Sequence, residues 1–584
     1  MLTQHSRYDK EPTVAIVNGD EAVWQGYPAV LQELLRRMPQ QGKLVLVIET
    51  YPAVRQEEIV AALRVHEGPL RIIHAETAVI DREQLKQAYA PYLTEDRVFG
   101  HMAPFTVDQF YDKAKLTSLR EEVTACPQGL VAVIGFGASL VTEGDVRVYA
   151  DLSRWEIQQR YRTKEFGNWQ LDNADEEILR KYKGGFFVEW RMADRWKQEV
   201  LPHADYYLDT HQAGEPRMVT GEALLAGLRQ TAAQPFRLVP YFDPGVWGGQ
   251  WLAGHIDLPP QEHPYAWGFD GVPEENSLFF SYGGVRIELP AINLVLLEPV
   301  ALLGEPVYAR FGAEFPIRFD FLDTVGGQNL SLQVHPSNEY IREHFGMAYT
   351  QDESYYILDA TAGAEVYLGL QEGVQAEELA TELKEAEAGV RSFAAEKFVN
   401  VYPAQPHDHF LIPAGTIHCS GKNCMILEIS ATPYIFTFKL WDWDRLGLDG
   451  LPRPVHLEHG LRNIRWERTT EWVERELIGR VEPVAAGEGW REERTGLHET
   501  EFIETRRHWF SEPVRHEGTG SVQVLNLVAG EEAVVESPDG AFAPFTVRYA
   551  ETFIIPAAIS AYTIRPSGIS QGKTLATIKA YVRH

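Results

Sequence analysis

The chain has 584 residues, which is too long for one compact core and predicts two to four domains of ordinary size. It carries 54 Lys and Arg against 83 Asp and Glu, a net charge of -29. No segment gathers enough cations to follow a phosphate backbone, so we predict neither nucleic acid nor an anionic membrane surface as a partner.

The cysteines and the apolar runs bear on where the protein works. Three cysteines without a CxxC pair cannot form a disulfide framework, which favours a reducing cytoplasm. No window of about 18 apolar residues predicts a membrane-spanning helix, and the first residues lack the apolar run of an export signal. We therefore predict a soluble cytoplasmic protein. No heptad seam indicates its oligomeric state.

The first part of the chain alternates apolar runs of strand length with helix-like segments. TVAIVNG (13–19) precedes YPAVLQELLRRM (27–38), and KLVLVIE (43–49) precedes RQEEIVAALRV (55–65). Strands that are apolar throughout, each followed by a helix of 3.6-residue period, are typical of a parallel sheet covered on both faces. We predict an α/β domain with a parallel sheet over residues 1–225.

One turn in this domain invites comparison with a phosphate-binding loop. GFGASL (135–140) follows the apolar strand GLVAVIG (129–135), but it lacks Gly-Lys-Ser/Thr and a third Gly, which favours a tight turn. The domain as a whole resembles a degenerate nucleoside kinase, and KGGFFVEWRMADRWK (183–197) and DYYLDT (205–210) strengthen the resemblance. It implies a docking, regulatory or catalytically silent domain without a working phosphate-binding loop.

After about residue 237, short β-type runs separated by Gly, Pro, Asn and Asp replace the long helices. Such runs at close spacing are typical of a β-sandwich or barrel. An acidic, Ala-rich stretch at 375–398 has a helical period and predicts a helical insertion between strands. Strands are predicted at VRIEL, NLVLLE, VYARF, IRFDFLD, NLSLQVHP, SYYILD, AEVYLGL, HFLIPAG, CMILEIS, YIFTFKL, VQVLNLVAG, EAVVES, FTVRY, TFIIPAA and TLATIKAYV.

The β part repeats itself. HFLIPAGTIH (409–418) is echoed by TFIIPAAISA (552–561), and two copies predict two related β-barrels. Ala561 in the second copy corresponds to His418 in the first, which assigns any metal chemistry to the first barrel. We predict a metal-binding barrel with a helical insertion over 226–495 and a metal-free barrel over 496–584.

Four polar side chains in the first barrel form a candidate metal site. In NLSLQVHP, alternation places Gln333 and His335 on one face of a strand. Glu353 can lie on a second strand, and HFLIPAGTIH brings His418 to a strand behind a Pro-Ala-Gly turn. A lone histidine on a strand is more often a core residue, but inward polar groups are costly in a small barrel unless something satisfies them. Two imidazoles, a carboxylate and an amide oxygen suit zinc, or manganese or iron.

Three motifs in order carry a resemblance to a known family. LSLQVHPSNEY, DESYYIL and HFLIPAGTIHCSGKNCMILEIS resemble the signature of class I mannose-6-phosphate isomerases. The resemblance covers residues 237–584 and implies a double cupin fold of jelly-roll barrels, with the second barrel free of metal. It also implies Zn2+ held by Gln333, His335, Glu353 and His418, and interconversion of mannose 6-phosphate and fructose 6-phosphate. A Lewis-acidic cation stabilises the negative charge that develops on the sugar oxygens when a proton moves between C1 and C2.

The basic residues around these motifs depart from the family. Lys439, in FKLWDWDR, stands where the family has Arg, and it keeps the cation but loses the bidentate fork. Gln351 and Asp320 stand where the family has lysines. We assign the catalytic role to Lys439.

Several alternatives stay open at this point. Asp352 and His344 are other candidates for the base, and Arg318 and Arg445 are candidate phosphate contacts. His407-Asp408-His409 is interpreted as a polar turn that enters the strand ending at His418, with His407 and His409 either at the surface or supporting the metal ligands. A rival hypothesis is a non-catalytic sugar-phosphate sensor whose N-terminal domain signals. A third is an oxygen-dependent reaction with iron, which Gln and Glu ligation disfavours.

Overall fold

The computed structural model describes residues 8–17, 19, 22–39 and 42–583, and these form two compact units. The α/β unit contains residues 13–231 and 273–298, and the β unit contains 8–12, 232–272 and 299–583. Residues 273–298 thus belong to the α/β unit although they lie inside the segment 226–495. The division of the chain into three domains stays a prediction.

The part of the chain up to residue 231 alternates strands and helices as its sequence predicts. Its elements are β1 Thr13–Ala15, β2 Val23–Gln25, α1 Tyr27–Leu35, β3 Lys43–Thr50, α2 Gln56–Leu63, β4 Leu70–His74, α3 Arg82–Leu93, α4 Lys113–Ala125, β5 Gly129–Gly135, β6 Val146–Asp151, α5 Arg154–Arg162, α6 Ile178–Gly184, α7 Trp190–Val200, β7 Tyr206–Asp209, β8 Arg217–Thr220 and α8 Gly221–Thr231.

The rest of the chain is rich in strands. Its first elements are β9 Tyr241–Pro244, α9 Trp251–Ile256, β10 Tyr265–Gly271, β11 Ser277–Tyr282, β12 Val285–Pro290, α10 Ile292–Leu297, α11 Pro299–Leu303, α12 Glu305–Phe311, β13 Ile317–Asp323, β14 Leu332–Val334, α13 Asn338–Phe345, β15 Glu353–Ala360, β16 Glu365–Leu370, α14 Ala376–Glu387, β17 Val399–Pro403, β18 His409–Ile412, β19 His418–Ser420, β20 Cys424–Ala431 and β21 Phe438–Trp441. Its last elements are α15 Leu457–Asn463, α16 Thr470–Glu476, β22 Glu482–Gly487, β23 Trp490–Arg494, β24 Ile503–Phe510, β25 Val514–Glu517, β26 Gln523–Ala529, β27 Glu532–Glu536, β28 Phe545–Arg548, β29 Thr552–Ile555, β30 Ala561–Pro566 and β31 Leu575–Val582.

The α/β unit is built on a seven-stranded sheet in the order β2-β8-β7-β6-β3-β5-β4. The strands β7, β6, β3, β5 and β4 are parallel, β8 runs antiparallel to β7, and β2 pairs antiparallel with β8 at the edge of the sheet. Every residue of β5 is buried, as expected for a strand covered on both faces. The predicted parallel α/β sheet is confirmed. In the same unit β1 pairs in parallel with β11, which forms a hairpin with β12.

The β unit contains two pairs of sheets. The first sheet pair combines β18-β15-β20-β13-β10-β9 with β17-β16-β19-β14-β21, and the second combines β22-β23-β24-β31-β26-β29 with β25-β30-β27-β28. The predicted strand-rich architecture is confirmed, and the predicted helical insertion is α14, between β16 and β17. The assignment of both pairs to the cupin fold stays a prediction.

Two predicted strands are helices. NLVLLE lies in α10 and VYARF lies in α12, so these two predictions were wrong. Apolar runs of five or six residues do not distinguish a strand from one face of a short helix. Gly304 precedes α12 and Pro306 stands in its first turn, a start signal that the strand prediction missed.

No helix among the described residues is long and apolar enough to cross a membrane. A cytoplasmic location stays a prediction.

Candidate metal centre

Three of the predicted site residues form one row across the five-stranded sheet of the first sheet pair. Gln333 on β14 pairs with His418 on β19 and, on its other side, with Lys439 on β21. Residues that are directly opposite in antiparallel strands present their side chains on the same face. His335 comes two residues after Gln333 and shares this face, and Pro336 follows it.

Glu353 lies on the facing six-stranded sheet and contacts the side chains of this row. It is the first residue of β15, and its Oε2 lies 3.2 Å from His335 Nε2 while its Oε1 lies 2.7 Å from His418 Nε2. Gln333 Nε2 is 3.1 Å from His418 Nε2. All four side chains are buried, and Gln333 is the most exposed of them at 7%.

Backbone carbonyls orient both imidazoles. His418 Nδ1 lies 2.9 Å from the carbonyl oxygen of Thr416, so that nitrogen carries the proton and Nε2 keeps its lone pair. His335 Nδ1 faces the carbonyl oxygen of Phe436 at 3.5 Å in the same sense. Two nitrogen lone pairs therefore point at the Glu353 carboxylate. That arrangement is repulsive unless a proton or a cation lies between the groups.

Positive charge next to Glu353 favours its ionised form. Burial raises the pKa of Glu353, but charge on the neighbouring imidazoles of His335 and His418 outweighs burial and holds that pKa well below its usual range. With both imidazoles neutral, as their Nδ1 contacts with carbonyl oxygens imply, a bound cation would supply that positive charge. An ionised carboxylate is the form that binds a metal.

The site contains buried nitrogen and oxygen atoms that have no hydrogen-bond partner in the described part of the chain and are suitable ligands for a metal ion. His335 Nε2 and Glu353 Oε1 are buried without a hydrogen-bond partner among the described residues, although both lie in close contact with the opposite group. His335, Glu353 and His418 offer ligand atoms that all lie within 4.8 Å of one another, so this group could hold a metal ion. Atoms bound to one metal at about 2.0–2.2 Å are about 3.0–3.5 Å apart, close to the spacing here. Turning the Gln333 amide by 180° would add its oxygen.

A second group of polar side chains lines the same face of the six-stranded sheet. Asp320 on β13 lies directly opposite Glu428 on β20, and Arg318 Nη1 lies 3.3 Å from each carboxylate. Gln351 Nε2 donates to Glu353 Oε2 at 3.1 Å and to Glu428 Oε1 at 3.0 Å. Burial, together with Asp320 and Glu353, raises the pKa of Glu428 well above its usual range. This network connects the candidate metal site to an internal ion pair.

Glu428 was not predicted from the sequence to belong to the site. The signal was present, because alternation in CMILEIS places Ile426, Glu428 and Ser430 on one face, and an acid in an otherwise apolar strand needs a partner.

Other predicted residues make contacts elsewhere. Asp352 Oδ1 accepts a hydrogen bond from the Ala414 N–H at 2.8 Å, and burial raises its pKa. His344 stacks on Tyr340 at 3.9 Å between ring centroids. Arg445 donates to Asp442 and to the carbonyl oxygen of Asn329. Asp352 and Arg445 are therefore engaged in internal hydrogen bonds, and His344 packs against its own helix α13.

The two histidines just before and at the start of β18 contact a neighbouring strand. His409 Nε2 lies 2.8 Å from the Ser354 hydroxyl, and His407 Nδ1 lies 2.8 Å from the Tyr356 hydroxyl. Both partners lie on β15, the strand that carries Glu353, so these contacts favour a supporting role over a surface position.

The second sheet pair carries different groups at the corresponding place. Gln523 begins β26 and pairs with Ile555, just as Glu353 begins β15 and pairs with Ile412. Tyr562, not Ala561, is the fully buried residue at the start of β30, and its hydroxyl donates to Gln523 Oε1. A hydroxyl and an amide oxygen satisfy each other here, whereas two lone pairs and a carboxylate converge in the first pair.

The two parts of the chain are similar to different known proteins. Residues 26–233 match the family model described as "Domain of unknown function (DUF8485)". This match assigns no activity, and the resemblance of this part to nucleoside kinases stays a prediction.

The curated relatives carry the name that the motifs predicted. The chain is 28% identical over 235 residues to mannose-6-phosphate isomerase ManA of Bacillus subtilis, covering 40% of this chain and 68% of the relative. It is 25% identical over 336 residues to mannose-6-phosphate isomerase of Streptococcus mutans, covering 56% and 95%. The resemblance to mannose-6-phosphate isomerases is therefore confirmed over roughly half of the chain.

Similar solved structures carry the same name. They include the mannose 6-phosphate isomerase from Bacillus subtilis, with a TM-score of 0.48 and 19% identity over 60% of this chain and 99% of that one. A mannosephosphate isomerase from Archaeoglobus fulgidus, described as putative, has a TM-score of 0.45 and 17% identity over 60% and 98%.

Proposed function

We propose that the β unit is a metal-dependent aldose-ketose isomerase that interconverts mannose 6-phosphate and fructose 6-phosphate. The observation that carries the proposal is the buried convergence of two imidazole lone pairs on one carboxylate, next to the amide of Gln333. The names of the curated relatives supply the substrate. We assign Zn2+ to Gln333, His335, Glu353 and His418, because two nitrogens, a carboxylate and an amide oxygen suit it.

The protein's own groups define the rest of the chemistry. A bound divalent cation would supply Lewis acidity toward the sugar oxygens. Lys439 stands beside Gln333 in the same row, so its ammonium group can donate a hydrogen bond to a sugar oxygen next to the metal site. Thr416 and Phe436 hold the two imidazoles through their carbonyl oxygens, which fixes the ligand nitrogens in place.

Turnover distinguishes this proposal from the sensor hypothesis. The relatives bear the names of enzymes, which favours an isomerase over a binding protein. The zinc-loaded protein is expected to convert mannose 6-phosphate to fructose 6-phosphate in a coupled assay. His418→Ala should abolish turnover, while His263→Ala, at an exposed loop position, should leave it unchanged. Tight binding of mannose 6-phosphate by the zinc-loaded protein without conversion would refute the isomerase.

We also propose that the turn GFGASL does not bind phosphate. Three of its backbone N–H groups already have carboxylate partners, because Gly137 and Ser139 donate to Glu49 and Phe136 donates to Glu76. Two internal carboxylates thus occupy the positions that an anion would need. This supports the prediction of an α/β unit without a working phosphate-binding loop, while its resemblance to nucleoside kinases stays a prediction.

A further inference from the structure

The α/β unit contains a cavity of about 270 Å³ at the carboxyl edge of its parallel strands. Its walls come from the segment after β3 (51–56), the ends of β4 and β5, and the loop after α5 (165–174). The strands β3, β5 and β4 are neighbours in the sheet, so the cavity lies beyond the carboxyl ends of three adjacent parallel strands. Open α/β sheets bind their ligands outside the carboxyl ends of their strands.

The cavity is aromatic and acidic. Trp169 and the half-buried Phe166 provide apolar surface, and the ring of Phe136, which is only 1% exposed, supports Trp169 edge to face at 5.2 Å. Among the lining residues the charged side chains are Glu76, Glu165 and Asp172, all of them carboxylates. No lysine or arginine belongs to the described lining.

Two of these carboxylates already have cations. Glu165 forms a two-point ion pair with Arg55, with distances of 2.5 and 2.8 Å, and Asp172 pairs with Arg82 at 2.9 Å. Glu76 differs, because its Oε1 accepts only from neutral donors, at 2.8 Å from Gln56 Nε2 and at 3.1 Å from the Phe136 N–H.

Burial leaves the charge of Glu76 poorly compensated. Burial raises the pKa of Glu76, and the hydrogen bonds from Gln56 and the Phe136 N–H counteract this only in part. A positively charged ligand next to this carboxylate would stabilise its ionised form.

The cationic side chains close to the cavity already donate hydrogen bonds to other groups of the protein. Lys197 donates to both oxygens of Asp151 and to Asn293 at 3.0 Å. Arg160 donates to Glu156 and to the carbonyl oxygens of Ala53 and Thr210. Lys181, behind the loop after α5, donates to the carbonyl oxygens of Tyr161, Phe166 and Ala174. With the N–H groups of Phe136, Gly137 and Ser139 also occupied, a phosphate or carboxylate ligand would meet uncompensated negative charge.

We propose that this cavity binds a small organic cation with a flat apolar body, whose charged end pairs with Glu76 and whose ring packs against Trp169 and Phe166. The aromatic surface stabilises both a flat ring and a nearby positive charge. The site is independent of the isomerase proposed for the β unit.

Three probes of the same shape and different charge test the proposal on the full chain. Benzamidine is a cation, benzamide is neutral and benzoate is an anion, and calorimetry measures the affinity of each. Benzamidine should bind at least about tenfold more tightly than benzamide, since a charged hydrogen bond is the difference between them. Benzoate should give no binding. Equal affinity for benzoate, or no heat with benzamidine at millimolar concentration, would overturn the proposal.

Variants and hydrogen exchange locate the site. Glu76→Gln should weaken benzamidine binding about tenfold, while Glu83→Gln on the exposed face of α3 should not. Hydrogen exchange of the unmodified chain should show benzamidine protecting residues 51–56 and 163–177, a result that does not depend on whether a variant folds. Protection confined to other segments contradicts the assignment.

Discussion

At the scale of single residues, the candidate metal site depends on which nitrogen of each histidine carries the proton. The carbonyl oxygen of Thr416 fixes the proton of His418 on Nδ1, so Nε2 can only accept. The carboxylate of Glu353 then faces acceptors on two sides at 2.7 and 3.2 Å. A divalent cation satisfies all of these groups at once.

Glu353→Gln is expected to remove the metal. The amide keeps the shape of the side chain but loses the only negative charge among the four proposed ligands, so the affinity for zinc should fall at least about 100-fold. Metal analysis after dialysis should find about one equivalent in the parent protein and none in the variant. Glu343→Gln, on the exposed face of α13, is the matched control, and its loss of metal would argue against this site.

Lys439 is expected to act on the substrate and not on the metal. Lys439→Ala should lower kcat/KM at least about 100-fold with the metal content unchanged, and Lys439→Arg should restore part of the activity because it restores the charge. Lys422→Ala, at an exposed position, should have no effect. A full loss of metal in Lys439→Ala would show that Lys439 supports the ligands instead.

At the scale of elements, strand alternation predicts the site because side chains two residues apart share a face. Gln333 and His335 follow this rule, and Lys439 lies on the same face through its pairing with Gln333. The network of Arg318, Asp320 and Glu428 was not predicted as a unit, because its partners come from strands that are over 100 residues apart in the chain. Register between distant strands is a tertiary property that a single sequence does not reveal.

The second sheet pair is another case in which the sequence alone does not reveal which side chain faces the interior. The sequence repeat aligned Ala561 with His418, but the buried residue at this place is Tyr562, one position later. A shift of one residue moves a side chain to the other face of a strand, and sequence similarity alone does not detect it.

The surroundings of two histidines in the second sheet pair predict that the folded protein loses stability in acid. The rings of His508 and His516 lie 4.5 Å apart, near Glu492 on β23, Arg506 on β24, Lys579 on β31 and Tyr562 on β30. Burial lowers the pKa of His508 to about 4 and lowers the pKa of His516 well below its usual range. Both folded-state values lie below the value of about 6.5 for an unfolded chain.

The unfolded chain therefore binds protons first as the pH falls. The stability due to each neutral histidine is complete above about pH 6.5 and is lost toward pH 4, by about 1.4 kcal/mol per pH unit for each proton. Hydrogen exchange of β24 and β31 at pH 7.5, 6 and 5 should show this loss. His508→Gln should reduce the slope by about one proton. An unchanged slope would contradict the assignment.

At the scale of the whole molecule, the α/β unit is discontinuous in sequence. Residues 273–298 return to it and supply Asn293, which donates to Asp151 and accepts from Lys197, and Glu274, which pairs with Arg154. These partners are buried, so their loss would leave uncompensated charges. The change in composition near residue 237 gave no sign of this return.

Residues 13–231 alone are therefore expected to fold poorly. A chain in which 13–231 is joined to 273–298 by a Gly/Ser linker should melt cooperatively and at a higher temperature, as measured by circular dichroism. Residues 13–231 alone should aggregate or melt at least several degrees lower, because Asp151, Lys197 and Arg154 lose partners. Equal melting of the two chains would show that the returning segment contributes little.

The most direct test of the account is the dependence of isomerase activity on metal. We predict that a chelator abolishes the conversion of mannose 6-phosphate, that one equivalent of zinc restores it, and that zinc does not restore His418→Ala. Full activity after complete removal of metal, or restored activity in His418→Ala, would contradict the account.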